Sequence, residues 1–365
     1  MESILYGTNR QSPLARIKRH WYTAARHATP RKVWNLALIS AQYWMRRPVV
    51  KGWPVILKVE PTSRCNLACK GCAAHGMDFP LVIGDMKLET FQKLVDEVGP
   101  YLFKMSLYIT GEPLINRNVY KMIRYATDHN IGTVISTNFH PFNEARAAEM
   151  IDSGLSHIVV CLDGSSQETY ASYRVNGDVN LVLKNLEILK RAKEQAGTKL
   201  PFLEIQTVRL PQNQHEMPEI ERIAREMGAD RLTVRADFRE YTPAGHDQTC
   251  FWLWYTALVA PDGAVTPCCP ATWSTDARRY FGSTQETSFA EIWNGPSYVK
   301  ARRVFGRDRS ADMSDSLCFG CDIFRTPATI ASESLSSGLQ TPLRATLGPV
   351  EEDHVISSAD GGLSA

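Results

Sequence analysis

Three cysteines stand close together in the run Cys65-Asn-Leu-Ala-Cys69-Lys-Gly-Cys72. Iron-sulfur clusters are held by cysteine thiolates and normally take one cysteine at each iron. A loop that supplies only three thiolates therefore leaves one iron of a four-iron cluster open to a substrate or a cofactor. The alternative is a zinc site, although zinc usually takes four ligands from paired Cys-x2-Cys knuckles. The spacing predicts a catalytic metal loop.

A second group of cysteines lies towards the C-terminus and supplies four thiolates, enough to ligate one cluster completely. Its members are Cys250, Cys268, Cys318 and Cys321. Cys269 directly follows Cys268 and competes with it as a ligand. Tetrahedral zinc is an open alternative because the group ends in a Cys-x2-Cys pair. Cys161 stands apart from both groups and is typical of a small core residue.

The chain has 365 residues and a hydrophobic content of 44%, enough for one large core and a smaller appended module. Its nine cysteines are clustered, which favours metal ligands in a reducing compartment over a disulfide framework. The sequence has no run of about 18 apolar residues. Basic residues precede the first apolar stretch, unlike a signal peptide. We therefore expect a cytoplasmic protein.

From about residue 55 to 237, short apolar β-branched runs alternate with longer amphipathic stretches, as in βα units around a parallel sheet. The predicted strands are Val55 to Glu60, Met105 to Thr110, Thr133 to Thr137, His157 to Asp163, Phe202 to Val208 and Arg231 to Asp237. The predicted helices are Leu88 to Val98, Val119 to Asp128, Glu144 to Ile151, Leu181 to Ala192 and Met217 to Met227. The predicted fold class is α/β, a partial (βα)6 TIM-like barrel.

Polar motifs follow four of the predicted strands. The cysteine loop follows the first strand, Gly111-Glu112-Pro113 the second, Ser136-Thr137-Asn138 the third and Asp163-Gly164 the fourth. In barrels of parallel strands, active sites form at the C-terminal ends of the strands. We expect these motifs to converge on one face of the barrel.

The chain divides into four predicted segments, of which residues 54–240 form the barrel. Residues 241–325 contain tryptophan and cysteine but lack βα periodicity, and a module of this size needs a metal staple. Residues 326–365 are rich in Ser, Gly, Ala, Thr and Pro, lack aromatics and are predicted to be disordered. Residues 1–53 form a basic helical segment at the N-terminus.

This N-terminal segment carries ten lysines and arginines against one acid, Glu2, so its net charge is +9 and that of the remainder −7. It contains an apolar and aromatic stretch, Val33 to Met45, which is predicted to be a helix. In one interpretation the helix packs against the open edge of the partial barrel, and in the other it lies on a membrane surface. A phosphate-bearing ligand is a weaker interpretation, and no nucleic acid is expected.

The spacing Cys-x3-Cys-x2-Cys resembles the signature of the radical S-adenosylmethionine (SAM) enzymes. The resemblance implies a [4Fe-4S] cluster on Cys65, Cys69 and Cys72, with the amino and carboxylate groups of SAM on the fourth iron. In that family, the reduced cluster splits SAM into methionine and a 5'-deoxyadenosyl radical, which abstracts hydrogen from substrate. A one-electron donor such as flavodoxin or ferredoxin is implied as a partner.

The second cysteine group resembles the SPASM and twitch modules that follow radical SAM barrels. A full SPASM module continues with further cysteines, whereas no cysteine follows Cys321 here. The resemblance therefore implies one auxiliary [4Fe-4S] cluster. The Gly-x4-Cys spacing after Gly263 favours Cys268 over Cys269 as its ligand.

Gly111-Glu112-Pro113 resembles the Gly-Gly-Glu-Pro element of the family, which contacts the methionyl ammonium of SAM. Thr110 replaces the first glycine, and the motif read alone is as typical of an exposed turn. Gly71 stands where many members carry an aromatic that packs on the adenine.

Ser136 and Asn138 lie where the third strand of the family approaches the SAM ribose and carboxylate. Asp163 and Arg174 occur in a Leu-Asp-Gly and Tyr-Arg context similar to many members with a second cluster. Arg174 is expected to pair with the SAM carboxylate in bidentate fashion. For all four residues, a structural cap or a salt bridge is the alternative.

The resemblance implies net two-electron oxidation of a substrate. Members with one auxiliary cluster include dehydrogenases that oxidise a secondary alcohol of an aminocyclitol, so a small polar natural-product precursor is the leading hypothesis. Peptide or protein modification is the second hypothesis and lipid modification at a membrane surface the third. A non-catalytic iron-sulfur or zinc protein for electron transfer or scaffolding is the contrasting class.

We predict about eight irons per chain, with matching acid-labile sulfide, after anaerobic reconstitution. The double variant Cys318→Ala, Cys321→Ala should retain about four, because only the auxiliary cluster is lost. Metal analysis of both proteins checks this. About four irons in both, with zinc in the wild type alone, would instead make the C-terminal group a structural zinc site.

Overall fold

The computed structural model describes residues 25–72, 74, 84–236, 249–306 and 313–321. Within these residues, one sheet contains the strands β1 (Ile56–Val59), β2 (Lys104–Ser106), β3 (Gly132–Thr137), β4 (His157–Cys161), β5 (Phe202–Arg209), β6 (Arg231–Ala236), β7 (Thr256–Val259), β8 (Ala264–Thr266) and β9 (Gly282–Ser283). Their spatial order is β6-β5-β4-β3-β2-β1-β7-β8-β9. Strands β1 to β6 pair in parallel, each with the next, as expected of a partial barrel.

Helices connect the parallel strands and enclose the core. They are α1 (Pro30–Trp44), α2 (Leu88–Val98), α3 (Val119–Asp128), α4 (Glu144–Ser153), α5 (Gln167–Tyr173), α6 (Val179–Gln195), α7 (Met217–Glu226), α8 (Trp252–Tyr255), α9 (Cys269–Thr272), α10 (Phe289–Trp293) and α11 (Pro296–Val304). The α/β class and the parallel sheet predicted from the sequence are confirmed. Helix α5, capped by Ser166, was not predicted, because a single amphipathic stretch dominates that crossover.

Strand β2 ends four residues before the predicted Thr110. Beyond its end, the amides of Thr110 and Gly111 donate to Oε1 of Glu60, at 2.7 and 3.0 Å. These two amides thus bond to a side chain instead of continuing the ladder of the sheet. The turn that follows β2 is thereby fixed to the end of β1.

The C-terminal part of the chain continues the barrel sheet. Strand β7 pairs in parallel with β1, from Ile56 opposite Thr256 to Val59 opposite Val259. Strands β8 and β9 then add in antiparallel fashion. The edge of β1 is therefore covered by β7, and the two cysteine-bearing parts of the chain share one hydrogen-bonded sheet.

Helix α1 packs on the protein, but beneath the N-terminal ends of the strands rather than along a sheet edge. Nζ of Lys32 donates to the carbonyl of Asn130, at 2.5 Å, just before β3 begins. Asn35 exchanges two hydrogen bonds with the backbone of Trp53, just before β1, at 3.1 and 2.8 Å. Oε1 of Gln42 accepts the amides of residues 51 and 52. These contacts place α1 opposite the C-terminal face on which the motifs lie.

None of the described helices combines the length and the apolarity needed to cross a lipid bilayer. The predicted disordered tail, residues 326–365, and most of the basic residues before α1 lie outside the described part of the chain. The boundaries of the four predicted segments stay predictions.

Arg302 holds three distant segments together. Its side chain is fully buried, and Nε donates to the carbonyl of Leu253 at 2.8 Å. Nη1 donates to the carbonyls of Pro48, at 3.2 Å, and Trp293, at 2.9 Å. The guanidinium carbon also lies 4.4 Å from the centre of the Trp293 ring, in a cation-π contact. The chain after α1, helix α8 and helix α10 therefore meet on this one side chain.

We predict that Arg302→Leu lowers the free energy of unfolding by about 3 kcal/mol, because it leaves buried carbonyls without donors. Arg303→Leu is the matched control, since Arg303 is the exposed neighbour on the same helix and its loss should change stability by less than about 0.5 kcal/mol. Anaerobic urea unfolding of both variants measures the difference. Equal stabilities would contradict the structural role of Arg302.

Candidate active site

The three-cysteine loop leaves the C-terminal end of β1 and is held against the segment after α5. The amide of Ala68 donates to the carbonyl of Val175, and that of Lys70 to the carbonyl of Tyr173, both at 3.0 Å. Gly71 has φ of 72°, a left-handed conformation that a side chain with a Cβ rarely adopts. Any side chain with a Cβ at this position would be strained in this backbone.

The thiols of this loop are close enough to influence one another. Burial raises the pKa of Cys65 to about 11, and the nearby Glu112, Cys69 and Cys72 add to the effect. Burial also raises the pKa of Cys69, although the Arg174 guanidinium counteracts it. The Cys65 and Cys69 thiols therefore resist ionisation, and a cationic iron cluster would stabilise the thiolates of this loop.

Arg174 and Asp163 form a buried ion pair beside this loop. Nε of Arg174 donates to Oδ2 of Asp163 at 2.5 Å, and Nη1 lies 3.6 Å from Sγ of Cys69. Oδ1 of Asp163 accepts the amide of Val208 at 2.6 Å, which ties the pair to β5. Burial alone would lower the pKa of Arg174, but the charge of Asp163 and the neighbouring thiols raise it well above its ordinary value. A permanent positive charge therefore lies next to the Cys69 sulfur.

Asn138 forms another part of the wall of the cysteine loop. Its Nδ2 donates to Oδ1 of Asn66 at 2.9 Å and lies 3.8 Å from Sγ of Cys65. Its own amide donates to Oε2 of Glu112 at 2.7 Å. The end of β3 is thus fixed against both the cysteine loop and the turn after β2.

Gly111 approaches the start of the cysteine loop so closely that no side chain would fit. A Cβ there would overlap the backbone oxygen of Thr62 and lie 2.8 Å from that of Arg64. The next amide, that of Glu112, donates to the same Arg64 oxygen at 2.8 Å. Pro113 then opens a short 3-10 turn, Pro113–Ile115. The turn after β2 and the base of the cysteine loop are packed backbone to backbone.

The Glu112 side chain is buried and already carries several hydrogen bonds. Oε1 accepts the hydroxyl of Thr137 at 2.7 Å and the amide of Leu114 at 3.1 Å. Oε2 accepts the Asn138 amide. Burial raises the pKa of Glu112 to about 7. Each carboxylate oxygen has two lone pairs, so Oε2 is able to accept a further hydrogen bond. The contact between Glu112 and the SAM ammonium stays a prediction.

Sequence reasoning missed Glu60. Only 2% of this residue is exposed, and its Oε1 accepts the Thr110 and Gly111 amides described above. Burial raises the pKa of Glu60 to about 7, and the charge of Asp262 acts in the same direction. The signal was present in the sequence: an acid directly after an apolar β-branched run needs buried donors.

A polar strip runs across the inner face of the sheet. Oγ of Ser136 lies 3.7 Å from Sγ of Cys161, and Cys161 is opposite Gln206 in the register of β4 and β5. Nε of Arg235 donates to Oε1 of Gln206 at 2.5 Å. Cys161 is also an electrostatic neighbour of Cys69, so this strip turns towards the cysteine loop. Ser136, Gln206 and Arg235 are all half-buried, whereas Asp237 lies outside the described residues.

Lys58 connects this face to the C-terminal cysteine group. It is buried on β1, and its Nζ lies 5.3 Å from the ring centre of Tyr108 and 5.7 Å from that of Trp252. Trp252 is only two residues from Cys250. The pairing of β7 with β1 brings these residues together, so the second cysteine group borders the inner face of the barrel.

The second cysteine group is a set of neighbouring thiols, of which Cys250 is buried and the other three are half-buried. Burial first, and then neighbouring thiols, raise the pKa of Cys250, Cys268 and Cys318 well above the ordinary value. Cys250 is influenced by Cys321 and Cys318, Cys268 by Cys250 and Cys321, and Cys318 by Cys268 and Cys321. The four predicted ligands therefore lie together.

Backbone amides donate to two of these sulfurs. The amides of Trp252 and Leu253, at the start of α8, donate to Cys250, and the amide of Ala271 in α9 donates to Cys268. These bonds favour the thiolate form, and such bonds to the ligand sulfurs help to set the potential of an iron-sulfur cluster. These hydrogen bonds help to explain why the short helices α8 and α9 begin just after Cys250 and Cys268.

The donor chemistry of both sets fits iron-sulfur clusters. Among the described residues, no three or more histidine, cysteine, aspartate or glutamate side chains are arranged to hold a metal ion. A four-iron cluster spreads its thiolates over the corners of a cube, so its ligands lie farther apart than those of a single ion. The first set also lies beside the Arg174 guanidinium, and two sulfurs of the second set accept backbone amides, which suits thiolate ligands of an iron-sulfur cluster.

Comparison with known proteins agrees with this geometry. The pattern of the radical SAM superfamily matches residues 59–231, and the iron-sulfur cluster-binding domain called SPASM matches residues 250–322. The chain belongs to the radical SAM superfamily. It is a radical SAM enzyme with a SPASM domain. The cofactors of these two domains are SAM and a [4Fe-4S] cluster in the first and auxiliary iron-sulfur clusters in the second. The family and the cofactors predicted from the sequence are confirmed.

Two curated relatives illustrate the range of this superfamily. The chain is 25% identical over 210 residues to an AdoMet-dependent heme synthase from Methanosarcina barkeri, covering 55% of this chain and 58% of the relative. It is 27% identical over 183 residues to a PqqA peptide cyclase from Bradyrhizobium diazoefficiens, covering 50% and 46%. The chain thus spans about half of the length of these relatives.

The fold has a counterpart among solved structures. The crystal structure of Streptococcus suis SuiB bound to S-adenosylmethionine superposes with a TM-score of 0.59 at 14% identity, covering 80% of each chain. At this identity, the likeness concerns the fold alone. It supports the overall α/β fold of the chain.

We predict that Gly111→Ala abolishes SAM cleavage and reduces the iron bound by the first cysteine set, because the added Cβ must displace the backbone at Thr62 and Arg64. Gly84→Ala is the matched control near the same loop, since a Cβ there has no heavy atom within 4 Å. Iron content and 5'-deoxyadenosine formation measure the effect. An active, fully iron-loaded Gly111→Ala enzyme would contradict the close packing at this turn.

Proposed function

We propose that this enzyme oxidises a small polar substrate by removing hydrogen from one of its carbon atoms. The observation that carries the proposal is the polar strip of Ser136, Gln206 and Arg235, which lies on the inner face of β3, β5 and β6 and turns towards the first cysteine loop. Two hydrogen-bonding side chains and a cation suit a substrate rich in hydroxyl or carboxylate groups. Lys58 adds a second buried cation to the same face.

In this proposal, Cys65, Cys69 and Cys72 hold the catalytic cluster. The auxiliary cluster is held by four ligands, Cys250, Cys268, Cys318 and Cys321. The interactions among the second set support Cys268 as the ligand, as the spacing from Gly263 predicted. When bound, the clusters and SAM supply reductive cleavage of SAM, hydrogen abstraction and an acceptor for the second electron.

The residues around the first cysteine set bind and orient SAM. The Gly111 turn, with Glu112 and Pro113, is proposed to receive the methionyl ammonium, because its carboxylate and backbone face the cysteine loop. Ser136 and Asn138 are proposed to contact the ribose and carboxylate. Arg174 acts as the cationic partner of the SAM carboxylate, while Asp163 holds the guanidinium in place.

Clusters held by cysteine thiolates require a reducing cellular compartment. Nine cysteines are all free of disulfides in the described structure, which suits thiolate ligation. A cytoplasmic location with flavodoxin or ferredoxin as the electron donor is consistent with this chemistry and is part of the proposal.

A peptide substrate is the second candidate, and it is favoured by the similarity to a PqqA peptide cyclase. The two candidates differ in a measurable way. Incubation with SAM, reductant and a peptide encoded next to the gene would give a peptide lighter by about two hydrogens if the enzyme is a maturase. An unchanged peptide, together with oxidation of a small polyol or amino alcohol, would support the leading proposal.

We predict that the anaerobic enzyme with dithionite and SAM forms 5'-deoxyadenosine and that Cys69→Ser abolishes it. Cys161→Ser is the matched control, because Cys161 is a buried neighbour of Cys69 that is not proposed as a ligand and should support cleavage. Chromatography with mass detection measures the product.

The auxiliary group is tested in the same assay. Cys318→Ser with Cys321→Ser should still cleave SAM but should no longer oxidise substrate, since the second electron lacks its acceptor. Persistent 5'-deoxyadenosine in Cys69→Ser would overturn the assignment of the catalytic loop. Absence of product in the wild type at full iron loading would favour the non-catalytic class.

A further inference from the structure

Helix α1 is amphipathic in the inverse sense of an ordinary surface helix. Its buried face contains Lys32, Asn35 and Gln42, with Ile39 as the one large apolar side chain. Each of these three polar side chains is hydrogen-bonded to backbone of the protein. The polar side chains of this helix therefore contact the protein, whereas several of its large apolar side chains are exposed.

The outer face of α1 and the residues that follow it carry most of the exposed large hydrophobic side chains in the described part of the chain. These are Val33, Trp34, Leu36, Trp44, Met45 and Val49. Trp34 is 72% exposed and Trp44 75% exposed. A surface helix normally presents charged residues to water, and a contiguous apolar patch of this kind marks an interaction site. We call this set the α1 outer patch.

Along the chain, the α1 outer patch is flanked by basic residues. Arg31 lies at one end of the helix and Arg46 and Arg47 at the other, with Lys51 a short distance beyond. From Ser3 to Val59 the sequence contains no acidic residue. Tryptophans near both ends of an apolar helix face, with arginines beside them, match the polarity of the interface between lipid headgroups and acyl chains.

We propose that the α1 outer patch docks on the surface of an anionic lipid bilayer. The helix lies flat, because it has only 15 residues and none of the described helices is able to cross a membrane. A second copy of this chain is a poor occupant, because pairing two such patches would bring the arginines that flank them together. Anionic headgroups supply the compensating charge.

This docking has a consequence for the active site. Helix α1 lies under the N-terminal ends of the strands, whereas the cysteine loop lies at their C-terminal ends. The candidate active site around the cysteine loop therefore faces away from the bilayer. The enzyme would be held at a membrane surface and would take its substrate from the aqueous side, which supports a polar substrate over a lipid. Membrane binding itself does not depend on the proposed reaction, so the two are tested separately.

Co-sedimentation of the reconstituted full chain with phosphatidylcholine vesicles, with and without phosphatidylglycerol, tests the proposal. We expect binding only to the anionic vesicles and weaker binding at high salt. Trp34→Ser with Trp44→Ser should lower the partition coefficient by about tenfold or more, because the inserted aromatics are lost. Arg46→Gln with Arg47→Gln should weaken binding and flatten its dependence on salt.

Tyr280→Ser is the matched control, since Tyr280 is the exposed large hydrophobic of the described chain outside the patch and should leave binding unchanged. Formation of 5'-deoxyadenosine in solution should be the same in all these variants, which shows that they are folded. Equal sedimentation of the wild type without vesicles, or undiminished binding of the tryptophan variant, would overturn the proposal. A dimer that the tryptophan variant dissociates, without vesicle binding, would assign the patch to a second copy instead.

Discussion

The position of β1 between β2 and β7 is the constraint on which the rest of the structure depends. Its two edges form parallel ladders with strands from distant parts of the chain. Its C-terminal end leads into the first cysteine set, and Lys58 in its middle lies beside Trp252, close to Cys250. One short strand thus helps to fix where the two cysteine sets lie relative to each other. Displacement of β7 would separate them without changing either cysteine set.

Buried carboxylates connect the loops around the first cysteine set. Glu60 accepts amides of the turn after β2, Glu112 joins that turn to the end of β3, and Asp163 joins Arg174 to β5. Burying a carboxylate is costly unless hydrogen bonds or charges compensate, and here backbone amides of neighbouring strands and one guanidinium do so. The compensation works only if all these loops keep their positions. A rigid arrangement of this kind is what orientation of a reactive cofactor requires.

Helix α1 lies on the opposite side of the barrel, and its polar side chains are also buried and hydrogen-bonded. Its polar residues complete hydrogen bonds of backbone that precedes β1 and β3, so they stabilise the fold. The exposed residues of the α1 outer patch, in contrast, face away from the core. A barrel with its pocket at one end and an apolar, basic surface at the other would work as an enzyme held at an interface and open to water.

The sequence by itself determined the cysteine loop, the βα alternation and the basic N-terminal segment, because ligand spacing, hydrophobic periodicity and charge are local properties of the chain. The helices Leu88–Val98 and Val119–Asp128 were predicted to the residue for that reason. Only the tertiary structure decided that Glu60 supports the turn after β2, that Gly111 touches the base of the cysteine loop and that β7 extends the sheet at β1. These features depend on contacts between residues far apart in sequence, and no local pattern encodes which distant partner a strand edge, a buried acid or a glycine will meet.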